Sequence, residues 1–189
     1  MHKTAVLVVD LVNDFTQPDG AIYYETTGEM FPRAVRFIQE MRRRGALIVY
    51  IQQVMPREEA QRLSPDLPVR ACCVEGGGGE LLDQRLPVLP EDPIVRKTRA
   101  SGFFRTELEA LLLRHGVRNV AVIGTKTNCC VRATATDASM RDYRTFLIND
   151  CVSTNTAELN RFHCEDIGKY TARSLTASEF VQAVDRREI

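Results

Sequence analysis

The chain has 189 residues, 44% of them hydrophobic, with 25 Lys plus Arg balancing 25 Asp plus Glu. That size suits one domain, expected over 1–189, with a core of its own. The balanced charge lacks the basic surplus that goes with nucleic acid or an anionic membrane surface, so the expected partner is a small-molecule substrate. No stretch approaches the roughly 18 apolar residues that span a bilayer, and Met1-His2-Lys3 leads straight into a strand-like segment without a secretory layout. A cytoplasmic protein is therefore expected.

Short β-branched runs alternate with longer segments of helical period, the pattern of a parallel sheet covered by helices, so the fold class is α/β. The first strand is predicted over 5–9 (Ala-Val-Leu-Val-Val) and ends at Asp10. A helix over 31–44, stopped by Gly45, leads to a second strand over 46–51. The stretch 54–79 breaks the rhythm with Pro56, Pro65, Pro68 and four consecutive glycines, Gly76 to Gly79. It reads as a long irregular excursion, either a lid or binding loop or a plain surface connection. No Lys-Ser or Lys-Thr follows the glycines, so they do not form a phosphate-binding loop.

A third strand over 93–95 runs towards Lys97, and a helix over 106–115 follows, stopped by Gly116. The fourth strand, 120–123, passes through Gly124 into Thr125-Lys126-Thr127-Asn128-Cys129-Cys130, where a helix is predicted from about 130 to 141. A fifth strand over 145–148 and a short sixth over 172–175 complete the sheet. Thr176 and Glu179 have the spacing of a capping box ahead of Phe180, Val181 and Ala183.

Six cysteines, four of them in the adjacent pairs Cys72-Cys73 and Cys129-Cys130, do not read as a disulfide framework, and reduced thiols are expected. His2, His115 and His163 are scattered, which favours surface or capping roles over a metal site. Neither a metal nor a cofactor is expected.

In an open α/β sheet, ligands bind beyond the carboxyl ends of the strands. Asp10, Lys97 and Cys130 all fall there. A thiol at a helix start feels the positive end of the dipole, and a nearby ammonium favours thiolate further. A carboxylate can shuttle the proton, and free backbone N–H groups in the turn can bind an oxyanion. Taken singly, each has a blander reading: a packing cysteine, a capping aspartate, a solvated lysine.

Three blocks raise these residues together: Val8-Val9-Asp10-Leu11-Val12-Asn13-Asp14-Phe15, Lys97-Thr98-Arg99-Ala100-Ser101-Gly102-Phe103-Phe104, and Gly124 through Cys129-Cys130-Val131-Arg132-Ala133-Thr134-Ala135. In order and placement they resemble the signature blocks of isochorismatase-like cysteine hydrolases. The resemblance implies a Rossmann-like three-layer α/β/α sandwich with strand order 3-2-1-4-5-6 and a triad of Cys130, Asp10 and Lys97. It also implies a cis peptide between Thr125 and Lys126, an oxyanion hole from the Lys126 and Cys130 N–H groups, and a homo-oligomer, dimer or tetramer. Phe15 and Phe104 are candidates for substrate-binding pocket walls, or equally for core. Glycine replaces the nucleophile in true isochorismatases, whereas nicotinamidases carry metal-binding histidines where this chain has Gln52-Gln53-Val54-Met55. The metal-free amidohydrolase branch, resembling N-carbamoylsarcosine amidase, is the expected one. Its reaction is hydrolysis of a C–N bond in a small amide, ureide or N-carbamoyl compound through a thioester. A vinyl ether hydrolase and a non-catalytic thiol redox protein are the competing readings.

Overall fold

The computed structural model describes residues 3–63 and 72–189. The strands are β1 (Lys3–Val9), β2 (Leu47–Gln53), β3 (Ile94–Lys97), β4 (Val117–Thr125), β5 (Arg144–Ser153) and β6 (Arg173–Leu175). They form one parallel sheet in the order β3-β2-β1-β4-β5-β6. The helices are α1 (Asn13–Thr16), α2 (Glu25–Arg43), α3 (Arg57–Leu63), α4 (Leu108–Arg114), α5 (Arg132–Ser139), α6 (Ala157–Tyr170) and α7 (Ala177–Asp185). Among the described residues no helix is long and apolar enough to cross a membrane.

The central strands are continuous apolar runs because both faces of the sheet are covered. Ala5, Leu7 and Val9 of β1 enter one core with Leu108 and Leu112 of α4, Ala135 and Ala138 of α5 and Ile167 of α6. Val6 and Val8 enter the other, under Met30, Phe37 and Met41 of α2 and Phe180 of α7. These are the three layers expected. The capping box at Thr176 and Glu179 is formed in both directions.

Two helix starts differ from expectation. The first, predicted at 31, begins at Glu25, with Pro32 inside it. Pro32 supplies no N–H to the helix ladder, which makes a later start look natural from sequence. Tertiary bonds hold the early turns instead: the Thr26 hydroxyl donates to the Thr154 carbonyl, and the Thr27 hydroxyl meets that of Ser153 at 3.0 Å. The second, predicted near 130, is preceded by a π-helical turn over Thr127–Val131, and regular helix begins only at Arg132.

The chain passes from β1 to β2 and β3 on one side, then returns to place β4 on the other side of β1. The crevice for a ligand therefore opens between the carboxyl ends of β1 and β4. Here Gly124 has φ +114°, and a Cβ on it would stand 2.0 Å from the Val9 carbonyl oxygen. Gly124→Ala is expected to destabilise the fold by about 3 kcal/mol, since it combines a strained backbone with a clash against a central strand. A urea titration checks this, and an unchanged midpoint would show that β1 and β4 part there without cost.

Candidate active site

Asp10 follows the last residue of β1 in a left-handed conformation, φ 51°, which Asp tolerates better than most side chains. Its N–H donates to the Ile51 carbonyl, and its Oδ1 accepts from the Gln53 N–H at 2.9 Å. Oδ2 faces Lys97 Nζ at 2.8 Å, and both side chains are fully buried. No other donor reaches Oδ2 among the described residues. The lysine also donates to Gln53 Oε1 at 2.8 Å and to the Arg99 carbonyl at 3.1 Å. Burial alone would lower the Lys97 pKa, but the Asp10 carboxylate and the Cys130 sulfur beside it raise it above the ordinary lysine value. The ammonium therefore stays charged in a dry site.

The Thr125-Lys126 peptide is cis, as the resemblance implied. The Lys126 carbonyl then accepts from both Cys129 and Val131 N–H groups, closing a turn in which the Cys130 N–H lies between those two bonds and makes neither. Thr127 and Asn128 fasten the turn sideways, to Asn160 and to Thr154 respectively.

Cys130 is half-buried against the core, and Cys129 is exposed. The two thiols titrate as a pair. A hydrogen bond from Cys130, then the ammonium groups of Lys97 and Lys126, bring Cys129 down to about 6 against the effect of burial. The same hydrogen bond, burial and Asp10 push Cys130 well above the ordinary thiol value. One negative charge is thus shared by two sulfurs in front of one buried lysine. The buried Cys164, with no such cation, is pushed up to about 11.

Beneath the thiols is a cavity of about 100 Å³, walled by Phe15, Met55, Cys72 and Ala100 and by Gln53 together with the two cysteines. Phe15 thus lies where a pocket wall was expected. Phe104 does not: it is 44% exposed, with the Arg105 guanidinium over its ring. A larger groove of about 700 Å³ runs between α2 and α6, lined by charged residues such as Arg33, Asp150 and Arg161. Asp10, Lys97 and Cys130 do not line it.

Cys72 and Met55 come from the irregular excursion, which thereby builds part of the wall. Asp14 pins it: Oδ2 accepts from the Cys73 N–H at 2.5 Å, and its carboxyl group packs so closely on Gly79 that a Cβ there would lie 2.3 Å from it. Asn13 holds the Gly78 carbonyl. Residues 64–71 of the excursion lie outside the described residues. The second block is joined similarly to α5, by Ser101 to Asp137 and by the Gly102 N–H to the Thr134 hydroxyl of the third block.

Among the described residues no three His, Cys, Asp or Glu side chains are gathered to hold a metal ion. Gln52 Nε2 donates to the Glu80 carbonyl, and Gln53 Oε1 accepts from the Lys97 ammonium, which commits that oxygen to a cation already in place. His163 pairs with Arg132, and His115 caps the end of α4.

The Isochorismatase domain model matches residues 4–179. A probable inactive nicotinamidase of Arabidopsis thaliana is 27% identical, over 95% of each chain. Maleamate amidohydrolase of Pseudomonas putida is 26% identical over 96% of this chain and 86% of its own. The crystal structure of N-carbamoylsarcosine amidase from Thermoplasma acidophilum superposes with TM-score 0.79 at 25% identity, covering 93% of this chain and 96% of that one. With the blocks, the sheet order and the domain match in agreement, the chain belongs to the isochorismatase family of hydrolases.

Proposed function

We propose that this chain hydrolyses a C–N bond in a small amide, ureide or N-carbamoyl compound, with Cys130 as nucleophile. The observation that carries the reading is the buried Asp10–Lys97 pair set against a thiol in a tight turn at the switch point of the sheet. The amidohydrolase names borne by relatives point the same way. Asp10 Oδ2 takes the Cys130 proton, and Lys97 stabilises the negative charge on carboxylate or sulfur alike. The thiolate adds to the carbonyl carbon, and the oxyanion rests on the Lys126 and Cys130 N–H groups. Asp10 then protonates the nitrogen as the C–N bond breaks, and ammonia or an amine leaves. Water hydrolyses the thioester, returning the thiol and a free acid.

Among the described residues no group of His, Cys, Asp and Glu side chains fits a metal centre, and no step passes through one. The test is acid quenching during turnover of a panel of small amides and ureides, followed by peptide mass spectrometry. An acyl mass on the peptide bearing Cys130 is expected. Turnover with no acyl mass would mean direct attack of water without the thiol, turnover of an added vinyl ether but of no amide or ureide would favour the vinyl ether hydrolase reading, and stoichiometric thiol oxidation without turnover of any panel member would favour the redox reading.

A further inference from the structure

Among the described residues lining the cavity beneath the thiols, Gln53 is the one whose side chain carries nitrogen or oxygen. Lys97 does not line it, and its ammonium is held by Asp10, the Arg99 carbonyl, the Cys130 sulfur and Gln53 Oε1. That contact fixes the amide. A lysine only donates, so the Gln53 oxygen must face it and Nε2 must face the other way. Nε2 meets no acceptor among the described residues, and it is not one of the enclosed polar atoms. A donor therefore points into an otherwise apolar space.

Size and charge narrow what fits. A cavity of about 150 Å³ holds benzene. This one, at about 100 Å³, is smaller and opens to solvent, so it limits the size of the group lodged beside Gln53 rather than that of the whole substrate. Lys126 does not line it and is engaged with Tyr24, 3.4 Å from the hydroxyl and 4.8 Å from the ring centroid. A carboxylate on the acyl part of a substrate would thus meet no cation from the described lining residues, and burying an unpaired charge is costly.

We infer that the pocket selects a compact, uncharged aliphatic acyl group bearing a hydrogen-bond acceptor, and that Gln53 Nε2 is the donor that recognises it. This rests on the amide-hydrolase reading and narrows it. Gln53 is then a specificity-determining residue that also orients Lys97.

The experiment compares matched neutral amides differing by a hydroxyl in place of a methyl: lactamide against isobutyramide, and 3-hydroxypropanamide against butyramide. Nicotinamide and succinamate serve as the aromatic and anionic members. In the wild type, kcat/KM is expected to favour the oxygenated member of at least one pair by about tenfold or more, because the analogue leaves Nε2 unpaired. Nicotinamide and succinamate should be poorer than both. In Gln53→Leu, and in Gln53→Glu, which keeps an acceptor for Lys97 but offers no donor, that preference should fall to about one. A purely structural role for Gln53 would slow both members equally and leave the ratio intact, which overturns the assignment. Wild-type ratios near one in both pairs, or a best substrate that is anionic or aromatic, also overturn it while leaving the amide-hydrolase reading in place. Absence of turnover across the whole panel overturns that reading and this inference together. The wild-type ratios decide even where a variant does not fold.

Discussion

Cys130→Ala is expected to lower kcat by about 10⁴-fold or more, whereas Cys129→Ala should keep turnover within about tenfold. The two residues are adjacent, and the exposed Cys129 is the more accessible of the pair. Accessibility does not select the nucleophile here. Cys130 is the sulfur that adds to the Lys97 charge and hydrogen bonding, and the N–H that stands between the two closing bonds of the turn is its own. Cys129 accepts the hydrogen bond of the Cys130 S–H and shares the negative charge. Alkylation of the wild-type pair by iodoacetamide should accordingly rise through a midpoint near 6, the value to which Cys129 is brought, and level off by neutral pH. An ordinary thiol near 8.5 is still mostly protonated there. Equal loss of turnover in both variants would sink the distinction between the cysteines, and a midpoint near 8.5 would sink the shared thiolate.

Asp10, Lys97 and Cys130 were legible in the sequence because each lies at or just beyond a strand's carboxyl end, and the parallel order of the strands brings such ends to one rim. A residue that follows an apolar run can be located from periodicity alone. Gln53 and Cys72 could not be found in that way. Gln53 is the last residue of β2, two positions beyond the predicted end of that strand, and only the lysine it faces gives its amide a direction. Cys72 reaches the cavity because Asp14 holds the next residue's N–H across 59 positions of sequence. The signal for it was present in the first block, where Asp14 looked like part of a catalytic motif and proves to anchor the wall. Phe104 illustrates the converse. It stands in a signature block beside Phe103, yet Phe103 is the buried one of the two, packed near Tyr143, and Phe104 faces outward. Adjacent aromatic residues in a turn give no periodicity from which to choose. The start of α2 was misplaced for a related reason: hydroxyls of Thr26 and Thr27 bond to the end of β5, more than a hundred residues away.

Asp10→Asn is expected to separate two properties that usually move together: the thiols should become easier to ionise while turnover is lost. Asp10 raises both Cys129 and Cys130 by its negative charge, so removing that charge leaves Lys97 acting on the sulfurs unopposed. The alkylation midpoint should therefore move to lower pH than in the wild type. Turnover should fall nonetheless, because the group proposed to return a proton to the leaving nitrogen is gone. A variant that lost activity only through misplacement of the thiol would not show faster alkylation at low pH. Lys97→Met should do the reverse and push the midpoint up, since the cation opposing Asp10 is removed. It also leaves a buried carboxylate without its partner, and strips the Gln53 oxygen and the Arg99 carbonyl of their donor. Breaking a buried ion pair from one side costs about 3–5 kcal/mol. The Lys97 pKa is raised in the folded state, so its contribution to stability is complete below the unfolded lysine value, about 10.4, and is lost only as pH climbs through the folded one. The gap in urea midpoint between wild type and Lys97→Met should therefore not close from about pH 6 to 9, and it should widen there as the thiolate that Lys97 favours forms in the wild type first. A gap that closes within that range would mean the lysine is not held as a cation, and the charge that the mechanism places opposite the thiolate would not be there.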